Sequence, residues 1–226
     1  MKYDKIKKAT FISRPNRFVA YVNIDGTQTA CHVKNTGRCR ELLVPGAQVL
    51  LEESDNPARK YKYSLVTVKK GSRLVNMDSQ APNKIVGEWL KAGGLFRDIK
   101  LLKAECTYKK SRFDFYCEYE NKRAFIEVKG VTLENGGIVS FPDAPTERGT
   151  KHINELIECM AEGYEAYIIF AVQMKDVLYF TPNEDHDPKF AKALREAAKA
   201  GVNIIALDCT VGEDSVEISG RVEVRL

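Results

Sequence analysis

Long apolar runs are missing from this sequence. No stretch approaches the roughly 20 apolar residues that a membrane-spanning helix requires. The first residues, MKYDKIKKATF, are charged and lack the apolar core of a secretory signal. The six cysteines include no C-x-x-C pair, which disfavours a zinc site and favours reduced thiols. We therefore expect a cytoplasmic protein that does not bind membranes.

Several functional motifs are missing as well. The sequence contains no glycine-rich nucleotide loop and no pattern typical of a sugar site, which weighs against a small-molecule enzyme or sensor of sugar metabolism. That alternative stays open to calorimetry with sugars. No helix-turn-helix or zinc-finger pattern is present, so base-specific recognition of DNA is not expected.

Charge, in contrast, is plentiful and unevenly distributed. Residues 1–80 contain 15 Lys and Arg against 7 Asp and Glu, a net charge of +8. Residues 81–226 contain 20 against 24, a net charge of −4. Such asymmetry indicates a nucleic-acid-binding segment joined to a different domain, although a solvated basic face would look the same. We place the domain boundary at residue 80.

The first domain has the pattern of a small β-barrel. Short runs rich in Val, Tyr, Ile and Thr alternate with turn residues, and Asp25-Gly26 is a strong hairpin signal. The runs are FVAYVNI, TACHV, AQVLLEE and YSLVTVKK. The commonest small barrel that binds nucleic acid is the OB-fold, which we predict for residues 1–80.

The second domain alternates between helical and strand patterns. Residues 81–226 predict a helix, three antiparallel strands, and then helix, strand, helix and strand. This order is typical of an α/β domain with a mixed sheet. The segment LENGGIVSFPDAP is predicted to be a glycine-rich loop, and Thr146 or Thr150 is expected to cap the helix that follows.

Charged residues interrupt two apolar strands of this domain. Asp114 lies within RFDFYCEY, and Glu127 and Lys129 lie within AFIEVKGV. Glu127 and Lys129 are two residues apart and so share a strand face, and hairpin pairing would bring Asp114 alongside. Two carboxylates suit Mg²⁺, and a lysine beside the ion can orient water or stabilise a phosphate. The pattern predicts metal-assisted phosphodiester hydrolysis with Mg²⁺ or Mn²⁺ as the cofactor.

The D/E-x-K spacing itself has little specificity. It occurs four times, beginning at Asp98, Glu120, Glu127 and Asp187. Only the third has apolar β-forming neighbours and an aspartate in the preceding strand. An exposed cross-strand salt bridge would produce the same pattern, so both interpretations stay open. Glu88 on the preceding helix is a further candidate carboxylate, or a surface residue.

A second polar cluster surrounds the next predicted helix. It contains Asp143, Arg148, Lys151, His152 and Glu155. A helix N-terminus favours phosphate, so Arg148 and Lys151 are candidate nucleic-acid contacts. His152 is a candidate general base or phosphate contact, although a single helical histidine is more often an ordinary core or surface residue.

Two basic stretches of the first domain are candidate phosphate contacts, because arginine binds phosphate bidentately. The residues are Arg14, Arg17, His32, Asn35, Thr36, Arg38 and Arg40. Tyr61 and Tyr63 flank Lys62 and are candidates for base stacking, although strand tyrosines more often pack in a core.

Several strings resemble one family along nearly the whole chain. They are NRFVAYV, CHVKNTGRCREL, LVPGAQVLLEES, IEVKGVTL and FPDAPTERGTKHINEL. The sequence is similar to the sugar fermentation stimulation protein A family of bacteria and archaea. The resemblance implies DNA binding without sequence preference, a link to maltose metabolism, and an OB-like domain joined to a PD-(D/E)xK nuclease-like domain.

The resemblance also implies roles for individual residues. It assigns the acidic motif position to Asp114, the D/E-x-K to Glu127 and Lys129, and a first-helix acid to Glu88. The chain departs from the motif in having no proline before Asp114, and its Pro142-Asp143 pair follows Glu127. Two hypotheses lead, a metal-dependent nuclease and a DNA-binding regulator that does not cut. RNA is not excluded as a target, and a homodimer stays open.

Overall fold

The computed structural model describes residues 1–35 and 37–226. Thr36, one of the predicted nucleic-acid contacts, lies outside the described residues. The described chain forms a six-stranded sheet followed by a nine-stranded sheet that carries the helices. No helix among these residues is long and apolar enough to span a bilayer.

The first sheet closes into a barrel. Its strands are β1 (Ile6–Asn16), β2 (Val19–Ile24), β3 (Thr27–Val33), β4 (Gln48–Glu53), β5 (Tyr63–Lys70) and β6 (Arg73–Asn76). Antiparallel pairs run in the order β3-β2-β1-β4-β5, and β3 closes the ring by pairing in parallel with β5. This five-stranded closed barrel is OB-like, as predicted.

The hairpin between β2 and β3 shows why the chain turns there. Asp25 and Gly26 both have positive φ, at 50° and 87°, as a two-residue turn matching strand twist requires. In β2, Ala20, Val22 and Ile24 are buried while the residues between them point outward. The alternation places one face of the strand in the barrel core and the other in solvent.

The second sheet is mixed, as predicted. Its elements are α1 (Ala81–Lys91), β7 (Ile99–Tyr108), β8 (Ser111–Tyr119), β9 (Lys122–Val131), β10 (Leu133–Asn135), β11 (Ile138–Phe141), α2 (Glu147–Ala161), β12 (Glu165–Val172), β13 (Tyr179–Pro182), α3 (Pro188–Lys199), β14 (Asn203–Val211) and β15 (Val216–Val224). The strand order is β10-β11-β13-β15-β14-β12-β9-β8-β7. The hairpins β7–β8–β9 are antiparallel, and β9, β12 and β14 run parallel in the centre.

One prediction in this domain was wrong. The segment predicted to be a glycine-rich loop contains the hairpin β10–β11, whose turn is made by Gly136 and Gly137 at φ of 58° and 85°. The three-residue β10 is too short to show a strand periodicity, and the two glycines dominate the local composition. The buried Glu134 fixes the turn by accepting a hydrogen bond from the Gly137 amide at 2.6 Å.

Buried polar contacts join the barrel to the second sheet. Gln173 donates from Nε2 to Asn76 Oδ1 at 2.8 Å and to the Asp78 carbonyl at 3.0 Å. Lys70 Nζ lies 2.6 Å from Glu134 Oε2. These contacts fix β5, β6 and the segment after β6 beside the second sheet, which places the polar residues of the two units next to each other.

Candidate functional site

Asp114 lies where β8 and β9 part. The paired register of these strands runs from Tyr119 opposite Lys122 to Phe115 opposite Ile126. Beyond that pair, Asp114 Oδ2 accepts the Val128 amide hydrogen at 2.7 Å. The carboxylate therefore takes the place of a backbone carbonyl as the hydrogen-bond acceptor for β9. Asn83, near the start of α1, donates to Asp114 Oδ1 at 2.6 Å. Hydrogen bonds from β9 and from α1 therefore hold the Asp114 carboxylate in place.

Glu127 is the most deeply buried acid of the predicted set, with 3% of its surface exposed. Its Oε1 lies 2.5 Å from Lys129 Nζ and 2.6 Å from His152 Nδ1. Its Oε2 is buried and has no hydrogen-bond partner among the described residues. A buried carboxylate oxygen without a donor is costly and points to a group that is bound there in the working protein.

The two carboxylates have oppositely shifted pKa values. Burial raises the pKa of Asp114, and the nearby charge of Glu127 raises it further. Burial also acts to raise the pKa of Glu127, but the His152 hydrogen bond and the Lys129 charge outweigh it and lower that pKa. Glu127 is therefore held ionised, while a second negative charge on Asp114 is disfavoured. A cation between them would relieve that penalty.

Helix α2 places His152 next to Glu127. Thr146 caps the helix by accepting the Gly149 amide hydrogen at 3.0 Å, which confirms the first of the two predicted caps. His152 is buried, and its ring makes an edge contact with Phe113 at 6.0 Å between centroids. The histidine and its cap thus belong to one rigid unit, which fixes the orientation of the Glu127 carboxylate.

Glu155 stands one turn after His152 and had no assigned role in the sequence. It is buried, its Oε2 has no hydrogen-bond partner in the described chain, and its Oε1 lies 3.7 Å from Lys151 Nζ. Its spacing of three residues from a candidate histidine, on one helix face, was the available signal.

Glu88 is not brought to these groups. Its carboxylate is half exposed and lies 2.8 Å from the N-terminal ammonium group of Met1, which also donates to the Val216 carbonyl. Asn83, five residues earlier on α1, makes the contact with Asp114 instead. The structure therefore gives no support to Glu88 as a metal ligand, and the helix contributes an amide where a carboxylate was predicted.

The residues that do come together form what we call the carboxylate site. It consists of Asn83, Asp114, Glu127, Lys129 and His152. The described residues contain no group of three or more His, Cys, Asp and Glu side chains that could hold a metal ion. An ion here would rest on Asp114 and Glu127 and keep several waters, which is how Mg²⁺ is commonly bound. The unpartnered Oε2 of Glu127 and the two hard oxygen donors fit such an ion.

The predicted basic residues of the barrel do not all face solvent. Arg14 donates from Nη1 and Nη2 to the backbone carbonyls of Gly37, Arg38, Arg17 and Asn35 at 2.7–2.9 Å. Four bonds use all four hydrogens of these two nitrogens. Arg14 therefore ties the loop after β3 to the end of β1, and it has no terminal donor left for a phosphate.

Asn35 is hydrogen-bonded within the first domain, and His32 is half-buried there. Asn35 donates to the Met77 carbonyl at 2.9 Å and accepts the Gly37 amide hydrogen at 2.7 Å. His32 is half-buried in β3, and its Nδ1 has no hydrogen-bond partner among the described residues. Burial lowers the pKa of His32, and the charges of Arg59 and Lys34 lower it further. The structure gives Asn35 a role in shaping the loop.

The remaining predicted arginines of the barrel are exposed and share a cleft. Arg17, Arg38 and Arg40 line a cleft of about 780 Å³ together with Arg14. We call this the arginine cleft. Its opposite wall is the segment Asp143 to Pro145, which precedes α2. Arg148 and Lys151 are exposed near the start of α2. The cleft thus lies between the barrel and the second sheet.

A second, smaller cleft adjoins the arginine cleft. It has a volume of about 180 Å³ and shares Gly37 and Asp143 with the larger cleft. Its other wall contains Pro82 and Gly130, the chain neighbours of Asn83 and Lys129. A Cβ atom on Gly37 would lie 2.5 Å from Asp143 Oδ2, so a larger residue here would displace the Asp143 carboxylate.

Two family models match the chain. A model described as the SfsA N-terminal OB domain matches residues 12–77, and one described as the sugar fermentation stimulation protein RE domain matches residues 80–215. The second match contains every member of the carboxylate site, and the first contains the arginines of the cleft.

Similar proteins match over the full length. The sugar fermentation stimulation protein homologues of Clostridium beijerinckii and Ruminiclostridium cellulolyticum are 58% and 59% identical over 226 residues, with 100% of both chains covered in each case. The solved structure of SfsA from Pyrococcus furiosus in complex with Ca²⁺ is 28% identical, with a TM-score of 0.90. That match covers 100% of this chain and 98% of the other.

Proposed function

Because the chain belongs to the sugar fermentation stimulation protein family, we propose that it binds DNA without sequence preference and cleaves it at the carboxylate site. The activity is that of a phosphodiesterase dependent on Mg²⁺ or Mn²⁺. The observation that carries the proposal is the buried, unpartnered Oε2 of Glu127 beside a second carboxylate whose pKa is raised. The Pyrococcus relative, solved with Ca²⁺, supports a divalent cation in this family.

Each member of the site has a part in this chemistry. Asp114 and Glu127 would hold the cation. When bound, the cation would acidify a water molecule and neutralise charge on the scissile phosphate. Lys129, on the same strand face as Glu127, is placed to hold a phosphate oxygen once its ammonium leaves the carboxylate. His152 keeps Glu127 oriented through Nδ1, and Asn83 does the same for Asp114.

The arginine cleft would supply the affinity. Arg17, Arg38 and Arg40 are exposed and positively charged, so they can neutralise backbone phosphates without reading the bases. Arg148 and Lys151 extend the charge towards α2. We assign binding to a domain of residues 1–80 and cleavage to a domain of residues 81–226, and we place the protein in the cytoplasm, where its six free cysteines would stay reduced.

A DNA-binding regulator without cleavage is the second candidate. The Lys129 ammonium pairs with Glu127 at 2.5 Å, and a site kept in that state would bind nucleic acid in the cleft without hydrolysing it. The family's name refers to sugar fermentation, and the link to maltose metabolism stays a prediction from the resemblance.

Cleavage of end-labelled single- and double-stranded DNA and RNA tests the proposal. Each substrate is incubated with wild type in EDTA, Ca²⁺, Mg²⁺ or Mn²⁺, and the lanes are repeated with Glu127→Gln. Glu120→Gln is the matched control, because it has the same D/E-x-K spacing at an exposed turn. We expect cleavage in Mg²⁺ or Mn²⁺ with wild type and the control alone. Substrates that are bound but uncut in every lane would contradict cleavage and support the regulator.

A further inference from the structure

Two aromatic side chains stand out on the barrel surface. Phe18 is 52% exposed and Tyr21 is 36% exposed, and they are the only exposed aromatic residues among those the structure describes. An aromatic side chain buries 150–250 Å² when it packs, so both forgo a large stabilisation. The run FVAYVNI is predicted to be a strand, and aromatic residues of strands more often pack in a core. An exposed pair on one short stretch of chain requires a different explanation.

The aromatic pair adjoins the arginine cleft. The Arg17 guanidinium carbon lies 5.9 Å from the centre of the Phe18 ring. Tyr21 is paired across β1–β2 with Ser13, so the two side chains share a sheet face, and Ser13 lines the cleft. One exposed ring therefore lies beside a cationic group of the cleft, and the other shares a sheet face with a residue that lines it. That combination suits a ligand with flat apolar rings and a negatively charged backbone.

A narrower cleft adjoins this surface. The arginine cleft of about 780 Å³ leads to the smaller cleft of about 180 Å³ past Gly37 and Asp143. The smaller volume is below the roughly 300 Å³ at which clefts begin to enclose drug-sized ligands. A cleft this small can admit part of a single strand but not a duplex, whose major groove alone is about 12 Å wide.

From these features we infer that the protein binds single-stranded nucleic acid in preference to duplex. The bases stack on Phe18 and Tyr21, while Arg17, Arg38 and Arg40 hold the phosphates and direct the strand towards the carboxylate site. Duplex bases are already stacked on each other and cannot use the rings. The inference rests on the proposed function and adds its substrate class.

Fluorescence anisotropy with labelled oligonucleotides tests the inference. The probes are a single strand of about 16 nucleotides and its blunt duplex, measured over a range of salt concentrations. The variants are Phe18→Ala with Tyr21→Ala, and Phe18→Trp with Tyr21→Phe, which keeps both rings. Leu101→Ala is the control, because Leu101 is 44% exposed on β7 in the other sheet.

Wild type is expected to bind the single strand more tightly than the duplex. The double alanine variant should lose about 30-fold or more of affinity for the single strand, because it removes two base-stacking rings. Its duplex affinity and its salt dependence should stay those of wild type, because the phosphate contacts remain. The variant that keeps both rings should bind as wild type does, and so should Leu101→Ala.

Three results would overturn the inference, and they are distinguishable. Unchanged single-strand affinity in the alanine variant would show that bases do not stack on Phe18 and Tyr21, while binding in the arginine cleft would still stand. An equal loss for duplex and single strand would show that the rings do not select unstacked bases. A change in sedimentation from dimer to monomer with unchanged affinity would make the aromatic pair a self-association surface. Wild type that binds neither probe would instead overturn the proposed function itself.

Discussion

The carboxylate site and the arginine cleft hold charge in opposite ways. In the site, Glu127 and His152 are almost fully buried, and Glu127 Oε2 is the one buried side-chain atom of the site without a hydrogen-bond partner among the described residues. In the cleft, Arg17, Arg38 and Arg40 are exposed and make no salt bridge among the described residues. A buried, oriented group is prepared for chemistry at one atom, whereas an exposed cation attracts any phosphate.

The difference also predicts what each region contributes to stability. An unpartnered carboxylate oxygen inside the protein destabilises the fold. The carboxylate site therefore lowers the free energy of unfolding, as functional sites commonly do. The exposed arginines cost almost nothing, because water solvates them. Substitutions in the site should therefore separate activity from stability, and substitutions of Arg17, Arg38 or Arg40 in the cleft should change affinity alone.

The largest effect is expected for Asp114→Asn. The cleavage rate at saturating DNA should fall by more than about 100-fold, because a neutral amide holds a divalent cation poorly. The dissociation constant for DNA should change by less than about twofold, since the phosphate contacts of the cleft stay in place. Single-turnover rates and anisotropy measure the two quantities. Equal losses of cleavage rate and DNA affinity would contradict the assignment of cleavage to the carboxylate site and of binding to the arginine cleft.

Arg14→Met is expected to cause the largest loss of stability. Arg14 differs from its neighbours in the cleft because four backbone carbonyls accept its hydrogens. Hydrogen bonds to a charged donor contribute more than neutral ones, so the unfolding free energy should fall by about 2–4 kcal/mol. Urea denaturation measures it. Arg17→Met is the matched control and should cost less than about 0.5 kcal/mol.

Single Arg→Gln changes in the cleft are expected to have moderate effects. Arg17→Gln, Arg38→Gln and Arg40→Gln should each weaken DNA binding by several-fold. Each should also reduce the slope of log affinity against log salt by about 0.7–0.9, the value for one lost phosphate contact. The cleavage rate at saturating DNA should not change. An unaltered salt slope in all three variants would place the phosphate contacts elsewhere.

Asp114→Asn is expected to have the smallest effect when stability is measured. Burial, reinforced by Glu127, raises the pKa of Asp114, so its stabilising contribution is complete below its unfolded pKa and is lost as pH rises through the folded value. Near pH 7 the variant should equal or exceed wild type by up to about 1 kcal/mol. The gain should vanish below about pH 4. Urea denaturation at both pH values measures the difference in unfolding free energy. A variant that is less stable than wild type at pH 7 would contradict a raised pKa of Asp114 as the dominant effect.

Much of the site followed from strand periodicity, and some of it did not. The two-residue spacing of Glu127 and Lys129 put them on one face, and hairpin pairing placed Asp114 near them. The contact from Asn83 depends on how α1 packs, which has no local signature. Periodicity also could not separate Arg14 from Arg17, because their different partners are set by the path of the loop after β3. Strand composition likewise did not indicate that Phe18 and Tyr21 would be exposed.

Calorimetric titration of Mn²⁺ into the metal-free protein tests the central claim most directly. The account predicts one saturable site in wild type and in Glu120→Gln, and its loss in Glu127→Gln. It also predicts that Asp114→Asn weakens the same site. Equal Mn²⁺ binding by wild type and Glu127→Gln, or no binding by wild type, would contradict the assignment of the unpartnered Glu127 oxygen to a divalent cation.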